Sequence, residues 1–411
     1  MNSRERVLAS IKHREPDRIA IDLSSTPSSG ISAIAYNRLK AHLSINDGHN
    51  RIYDVVQQVS QPETSILSLF KIDVIDVGRA FNEKDSEWYE TTLSDGSKGE
   101  LPVWFRPVIQ KDGSREVYKD GELIAKMPKG ATFYDQTVYP YIDGYPADYK
   151  RLEEAMGRVH WAALAHSPWD HASDEGFWER LRAEAIHLRE TTDKALMIVC
   201  GCNLFEWGTF LRRIDNFLMD IYTSPKEVEG LLDALVEVHL RTLEKVCKSV
   251  GDVVDILRFG DDLGMDMAPF MAPEIYRRLF KPRHALLCDY VKKNSQMNTF
   301  LHSCGSIYKL IPDLIEAGYD IINPVQTTCV DMEPEKLKKE FGRDITFWGG
   351  GCDTRHILNH GTPDHVKDHV KRKIEILAPG GGFVFNQEHN ILPDVPPENI
   401  TAMYEAIRDY D

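Results

Sequence analysis

From residue 175 to the end of the chain, short apolar runs take turns with stretches of helical period. The runs lie at 195–201, 254–259, 297–303, 320–325, 344–348 and 382–386, and patterns such as Pro225-Lys226-Glu227-Val228-Glu229-Gly230-Leu231-Leu232 separate them. Strands that alternate with helices build a parallel sheet. Two earlier runs, Ile19-Ala20-Ile21-Asp22-Leu23 and Val74-Ile75-Asp76-Val77-Gly78-Arg79, raise the number of strands to eight. Eight predicts an α/β protein with a (β/α)8 TIM barrel, the alternative being an open doubly wound sheet. An amphipathic helix over 3–13 precedes the first run, and helices are expected through 33–70. Between 84 and 145 the texture changes to alternating residues broken by Ser94-Asp95-Gly96, Lys111-Asp112-Gly113 and Lys119-Asp120-Gly121. Asp-Gly between alternating runs signals hairpins, so this stretch reads as a β-meander inserted into a single barrel domain spanning 1–411.

The apolar runs end in polar residues. In a TIM barrel chemistry sits at the C-terminal ends of the strands, and those ends here carry Asp76 with Arg79, Cys202 with Glu206, Asp261 with Asp262, His302 with Cys304, Asn323 with Gln326, Cys352 with Asp353, and Glu388 with His389. Each pair alone has an ordinary explanation: Asp261 and Asp262 can cap a helix, Asn323 can hold a turn, Glu388 can be solvated. The run Phe300-Leu301-His302-Ser303-Cys304-Gly305-Ser306 places its histidine and cysteine two residues apart, hence on one face of a strand end. A second tip, Trp348-Gly349-Gly350-Gly351-Cys352-Asp353, delivers another thiol. One imidazole and two thiolates suit zinc, with the fourth position left for water or substrate. The competing reading is that these cysteines pack as small hydrophobes.

Charge and cysteine usage narrow the class. Lys and Arg number 49 against 64 Asp and Glu, a formal charge of −15, which disfavours nucleic acid and anionic membranes as partners. Seven widely spaced cysteines in 411 residues are an odd number and no disulfide framework. The charged start Met1-Asn2-Ser3-Arg4-Glu5-Arg6 lacks the apolar core of a signal peptide, and no run approaches the ~20 apolar residues of a membrane helix. A soluble, cytoplasmic protein is expected.

From about Gly201 onward the chain resembles the uroporphyrinogen decarboxylase superfamily, including its corrinoid-dependent methyltransferase branch. The stretches that carry the resemblance are Phe259-Gly260-Asp261-Asp262-Leu263-Gly264, Phe270-Met271-Ala272-Pro273-Glu274-Ile275-Tyr276, His302-Ser303-Cys304-Gly305-Ser306, Trp348-Gly349-Gly350-Gly351-Cys352-Asp353-Thr354, and His389-Asn390-Ile391 with Val395-Pro396-Pro397-Glu398-Asn399. The resemblance independently implies a TIM barrel. True decarboxylases carry an N-terminal segment with two arginines that hold substrate carboxylates; the matching region here, Asp22 to Ile31, is rich in serine and has no arginine. The methyltransferases carry a His-x-Cys zinc motif where His302 and Cys304 stand. Their third ligand is a cysteine near the tip of the last strand, where this chain has Gln387-Glu388-His389. Cys352, on the preceding strand, is therefore expected to complete a His302, Cys304, Cys352 site, with Glu388 as an oxygen alternative or exchangeable fourth ligand; Gln326 and Asp261 are more remote choices.

What the resemblance implies for chemistry is methyl transfer between a small methoxylated or methylthio compound and the cobalt of a corrinoid. Zinc would act as Lewis acid at its open site. Asp261, Asp262, Glu388 and His389 are the expected catalytic residues at the mouth, orienting the substrate or moving a proton. The corrinoid would ride on a partner protein docked over the mouth, since no segment reads as a corrinoid domain. The alternatives are a metal-free decarboxylase of the same family, a corrinoid-to-thiol methyltransferase, and a non-enzymatic scaffold on the same barrel.

Overall fold

The computed structural model describes residues 1–410. Seven parallel strands lie side by side in sequence order: Val74–Asp76, Ala195–Gly201, Ile256–Gly260, Asn298–His302, Ile321–Asn323, Thr346–Trp348 and Phe383–Val384. The run at 19–23 closes the ring between the first and last of these. Ile21 bridges Phe385 in parallel; the Phe385 N–H donates to Ala20 O at 2.8 Å, Asp22 N–H to Phe385 O at 2.9 Å, and Asp73 N–H to Ile21 O at 2.8 Å. The barrel wall is thus made from the eight apolar runs.

Alternation along the strands decides what faces inward. Val74, Ala195, Met197, Ile256, Phe300, Ile321, Trp348 and Val384 form one buried cluster inside the barrel, joined by Val7 and Ile11 of the helix Ser3–Ile11. That helix plugs the N-terminal end, where Ser10 O accepts the Gly382 N–H at 2.8 Å. Intervening residues such as Leu196, Ile198, Leu257, Leu301 and Phe347 pack outward against the helices. Phe300 is fully buried, and truncating such a ring to alanine costs about 3–5 kcal/mol. By the same parity, the residue two places beyond each inward apolar one also faces the lumen, at the open end: Asp76 after Val74, Arg258 after Ile256, His302 after Phe300, Asn323 after Ile321.

One departure from the sequence reading has a local cause. Residues 33–70 are only partly helical, as Ala33–His42 and Thr64–Leu69, because Ile52–Asp54 and Val59–Ser60 join Ile31–Ser32 in a small antiparallel sheet. Asp54 Oδ1 accepts the N–H groups of Val56 and Gln57 at 3.0 and 2.9 Å, a turn that competes with helix. Between Val74–Asp76 and Ala195–Gly201, where the β-meander over 84–145 was expected, lie an antiparallel pair, Trp88–Thr92 with Lys98–Pro102, and a four-stranded antiparallel sheet from Val108 to Gln136. Gly96, Gly113 and Gly121 of the Asp-Gly turns have φ of 86°, 84° and 81°, a left-handed conformation that glycine adopts without strain. This part buries its own apolar cluster around Leu101, Phe105, Ile124 and Tyr134. Among the described residues no helix is long and apolar enough to cross a membrane.

Candidate metal centre at the barrel mouth

His302 leaves its strand pointing into the lumen, and its orientation is set by Asn323 on the neighbouring strand. The His302 Nδ1 lies 2.7 Å from Asn323 Oδ1, while Asn323 Nδ2 donates to Trp348 O at 2.8 Å. The second bond fixes which end of the amide is the oxygen, so the proton belongs on Nδ1 and the Nε2 lone pair is free. Ser28 Oγ also donates to Asn323 Oδ1, at 3.3 Å, tying the serine-rich loop to this network. A ring nitrogen oriented by a hydrogen bond on the opposite nitrogen is the usual preparation of a metal-binding histidine.

Cys304 sits just past the strand. Its N–H donates to Asp262 Oδ1 at 2.8 Å, and the Gly305 N–H donates to Gln326 Oε1 at 2.7 Å. Gly305 has φ of 84°, and a Cβ there would lie 2.3 Å from the backbone carbon of Gly264, so the turn and the close approach both require glycine. These contacts place Cys304 Sγ 3.5 Å from His302 Nε2. A tetrahedral zinc with bonds of ~2.0 Å to nitrogen and ~2.3 Å to sulfur needs a nitrogen–sulfur separation of about 3.5 Å, so the pair is spaced for the ion.

The third member is His389. Ligand atoms of His302, Cys304 and His389 all lie within 4.8 Å of one another, and the two imidazole rings meet edge to face at 5.5 Å. His389 has φ of 86°, a conformation uncommon outside glycine. Its Nδ1 accepts the Asn390 N–H at 2.9 Å. In that tautomer the proton is on Nε2, and ligation through Nε2 requires it to move to Nδ1 as the Asn390 bond is given up.

Burial shapes the protonation of the mouth. It lowers the His302 pKa to about 3, helped by the Arg258 charge, and that of His389 to about 4, helped by His302. Both rings are therefore neutral at pH 7, as ligands must be. The Cys304 thiol is pushed well up by burial and by the Asp262 and Glu206 carboxyls. Asp262 is raised by loss of surrounding water, although about a third of its side chain, 36%, reaches solvent. Its Oδ1 is 3.6 Å from His302 Nε2. Glu206 is raised to about 8 by burial and by its neighbours Asp262 and Asp261.

The structure does not bring Cys352 into this cluster. After Trp348 the chain turns through Gly349 and Gly350, with φ of 124° and 69°, and Cys352 lands in the outer core between wall and helices, fully buried. Beside His302 and Cys304, where Cys352 was expected as a third ligand, stands His389, expected instead as a catalytic residue. Asp261 also faces outward: its oxygens accept the Phe205 and Glu206 N–H groups at 3.0 and 2.9 Å, and His284 Nε2 lies 3.1 Å away. It holds the start of the helix Phe205–Arg212, a structural use, where a role on substrate was expected. Glu388 is 2% exposed and held by Thr327, Thr328 at 3.5 Å and Lys373 at 3.9 Å, outside the His302, Cys304, His389 group. Asp262 alone of the expected acids stands at the cluster. Arg258 was missed, though a charged residue inside the apolar run Ile256-Leu257-Arg258-Phe259 was the available signal; the orienting role of Asn323 had none.

Residues 204–410 match the uroporphyrinogen decarboxylase (URO-D) family, half of the chain. Curated relatives include the uroporphyrinogen decarboxylases of Methylococcus capsulatus, 27% identical over 97 residues (24% of this chain, 26% of the relative), and of Legionella pneumophila, 25% identical over 211 residues (51% and 55%). The chain thus spans from a quarter to about half the length of the curated relatives it matches. Among solved structures, a methyltransferase from Methanosarcina mazei superposes with a TM-score of 0.58 at 15% identity, over 100% of this chain and 99% of that one, and so shares the fold. With its barrel and the matched C-terminal half, the chain belongs to the uroporphyrinogen decarboxylase family.

Proposed function

We propose that the protein is a zinc-dependent methyltransferase that moves a methyl group from a small methoxylated or methylthio compound to the cobalt of a corrinoid carried on a partner protein. The observation that carries this reading is the His302–Cys304–His389 cluster at the lumen's open end, with His302 already turned by Asn323 to offer Nε2. Two further facts support it. The segment 22–31, where a decarboxylase would hold substrate carboxylates with arginines, has none, and Asp22 through Ile31 is buried. The fold is shared over its whole length with a protein named a methyltransferase.

Bound to these residues, zinc would supply a Lewis acid for the ether oxygen or thioether sulfur. One thiolate and two neutral imidazoles leave the ion a net +1, a stronger acid than the neutral site two thiolates would give. The remaining chemistry belongs to the chain. Cys304 gives up its proton on ligation. Asp262, bonded to the Cys304 N–H, offers a carboxylate beside the cluster. Glu206 holds its proton up to about pH 8 and can pass it to the heteroatom when the carbon–heteroatom bond breaks. A corrinoid on the partner would supply the nucleophile that takes the methyl group; the electron pair of the broken carbon–heteroatom bond stays on oxygen or sulfur, and the proton that neutralises it comes from Glu206, which is left as the carboxylate.

Mixing the zinc-loaded protein with cob(I)alamin and a panel of methyl ethers and thioethers tests this, followed by the absorbance change on cobalt methylation. Methylation by at least one donor, lost in Cys304→Ala, is expected. Consumption of methylcobalamin on adding a thiol, with no donor active, would reverse the direction. Conversion of uroporphyrinogen to its tetracarboxylate product would replace the reading with decarboxylation.

A further inference from the structure

The lumen holds a second polar group that the metal cluster does not use. Three nearly inaccessible side chains, Ser24 at 7%, Tyr53 at 9% and Asp76 at 5% exposure, line one small cavity together with Arg79, Phe81 and Trp88. Each of the three has an atom with no hydrogen-bond partner: Ser24 Oγ, Tyr53 OH and Asp76 Oδ2. Leaving a buried polar atom unpaired costs roughly 1–3 kcal/mol, so three around one cavity mark a place built for a missing group. The cavity has space for about one water-sized group.

The position of this cavity ties it to the metal cluster. Asp76 is the inward residue at the tip of its strand, two places after Val74. Arg258, inward on the second strand along, feels the charges of Tyr53 on one side and of Cys304, Asp262 and Glu206 on the other, and its Nε is also unpaired. The two polar groups therefore share one lumen.

We propose that Asp76, Tyr53 and Ser24 form a subsite that binds a neutral hydroxyl group of the substrate, at the end away from the methyl group transferred; this rests on the methyl-transfer reading above. Asp76 and Arg79 line the cavity together, so an anion meets the carboxylate and a cation the guanidinium. A hydroxyl satisfies the remaining atoms: it donates to Asp76 Oδ2 and accepts from Tyr53 OH or Ser24 Oγ. Tyr53, Phe81 and Trp88 close the cavity with apolar ring surface, which leaves room for a hydroxyl and nothing larger. Asp76 Oδ1 is already held by the Gly78 N–H at 3.0 Å, which keeps Oδ2 aimed at the cavity.

Binding of 4-methoxyphenol and of 1,4-dimethoxybenzene, measured calorimetrically with the full-length protein and no corrinoid, tests the subsite without requiring turnover. The phenol should bind at least tenfold tighter than the dimethyl ether, and Asp76→Asn and Tyr53→Phe should each erase most of that preference. Cys304→Ala should retain it. Equal binding of the two compounds, an unchanged preference in both variants, or no binding of the phenol overturns the proposal and leaves the cavity to a structural water. Because the readout is binding, hydroxyl selectivity without any methylation of cobalt would sink the function reading and not the subsite, and methylation without selectivity would do the opposite.

Discussion

Replacing Asp76 by asparagine should stabilise the protein near pH 8 and not near pH 4. Burial lifts this carboxyl from 3.8 to about 6, against the opposing pull of His166, the Gly78 N–H and Arg79. A carboxyl with a raised folded pKa holds its proton more tightly when folded. The stability it lends is complete below the unfolded value near 4 and is lost as the pH climbs through about 6. A shift of roughly two units at 1.36 kcal/mol each amounts to ~3 kcal/mol by pH 8. Asparagine keeps an oxygen for the Gly78 N–H, but its Nδ2 takes the place of the unpartnered Oδ2, a cost of ~1 kcal/mol. The net expectation is a gain of ~2 kcal/mol near pH 8 and a loss of up to ~1 kcal/mol near pH 4. At ~2.1 cal/mol/K per residue, a 411-residue chain unfolds with about 0.9 kcal/mol/K, so the variant's melting temperature should move from about 1 °C below wild type in acid to about 2 °C above it at pH 8. Thermal unfolding followed by tryptophan fluorescence across that range is the assay. A difference in melting temperature that does not change with pH would mean that burial does not raise the Asp76 carboxyl. A destabilised carboxylate in the lumen is what a binding residue is expected to look like when its partner is absent.

Other outcomes follow from the cluster. Asn323→Ala should weaken zinc binding by about 10- to 100-fold, measured by chelator competition, because His302 loses the partner that sets its tautomer. Cys304→Ala should abolish stoichiometric zinc while Cys352→Ala retains it, read by metal analysis after gel filtration; the reverse order would return Cys352 to the site. Zinc binding should release about one proton from the raised Cys304 thiol, so affinity should climb roughly tenfold per pH unit between pH 6 and 8, and a flat profile would mean that the thiol is not a ligand. Gly305→Ala should lower both stability and zinc content, since a Cβ there meets the Gly264 backbone at 2.3 Å and the residue has φ of 84°; normal zinc content in a folded variant would contradict the required turn.

The barrel was legible because its wall is made of apolar runs spaced by helical period, and both signals are local. His302 and Cys304 were legible for the same reason: strand parity puts them at one end of one strand. The third member of the cluster was not, because it depends on where two loops arrive. Trp348-Gly349-Gly350-Gly351 looks like a strand tip that presents Cys352 to the mouth, yet the left-handed glycines carry the thiol behind the wall. His389 reaches the lumen through a positive φ that no sequence pattern announces. Asp261 and Asp262 are neighbours on the chain but face opposite ways, and only the hydrogen bonds from Phe205 and Glu206 assign the first to a helix start. Tyr53 was hidden because 33–70 reads as helix until the Asp54 turn is seen.

X-ray absorption at the zinc edge of the purified, zinc-loaded protein reads the ligand set itself. About one zinc per chain is expected, with a single sulfur neighbour at ~2.3 Å and two imidazole nitrogens at ~2.0 Å, the sulfur being lost in Cys304→Ala. Two sulfur neighbours, or no zinc held at all, would contradict it.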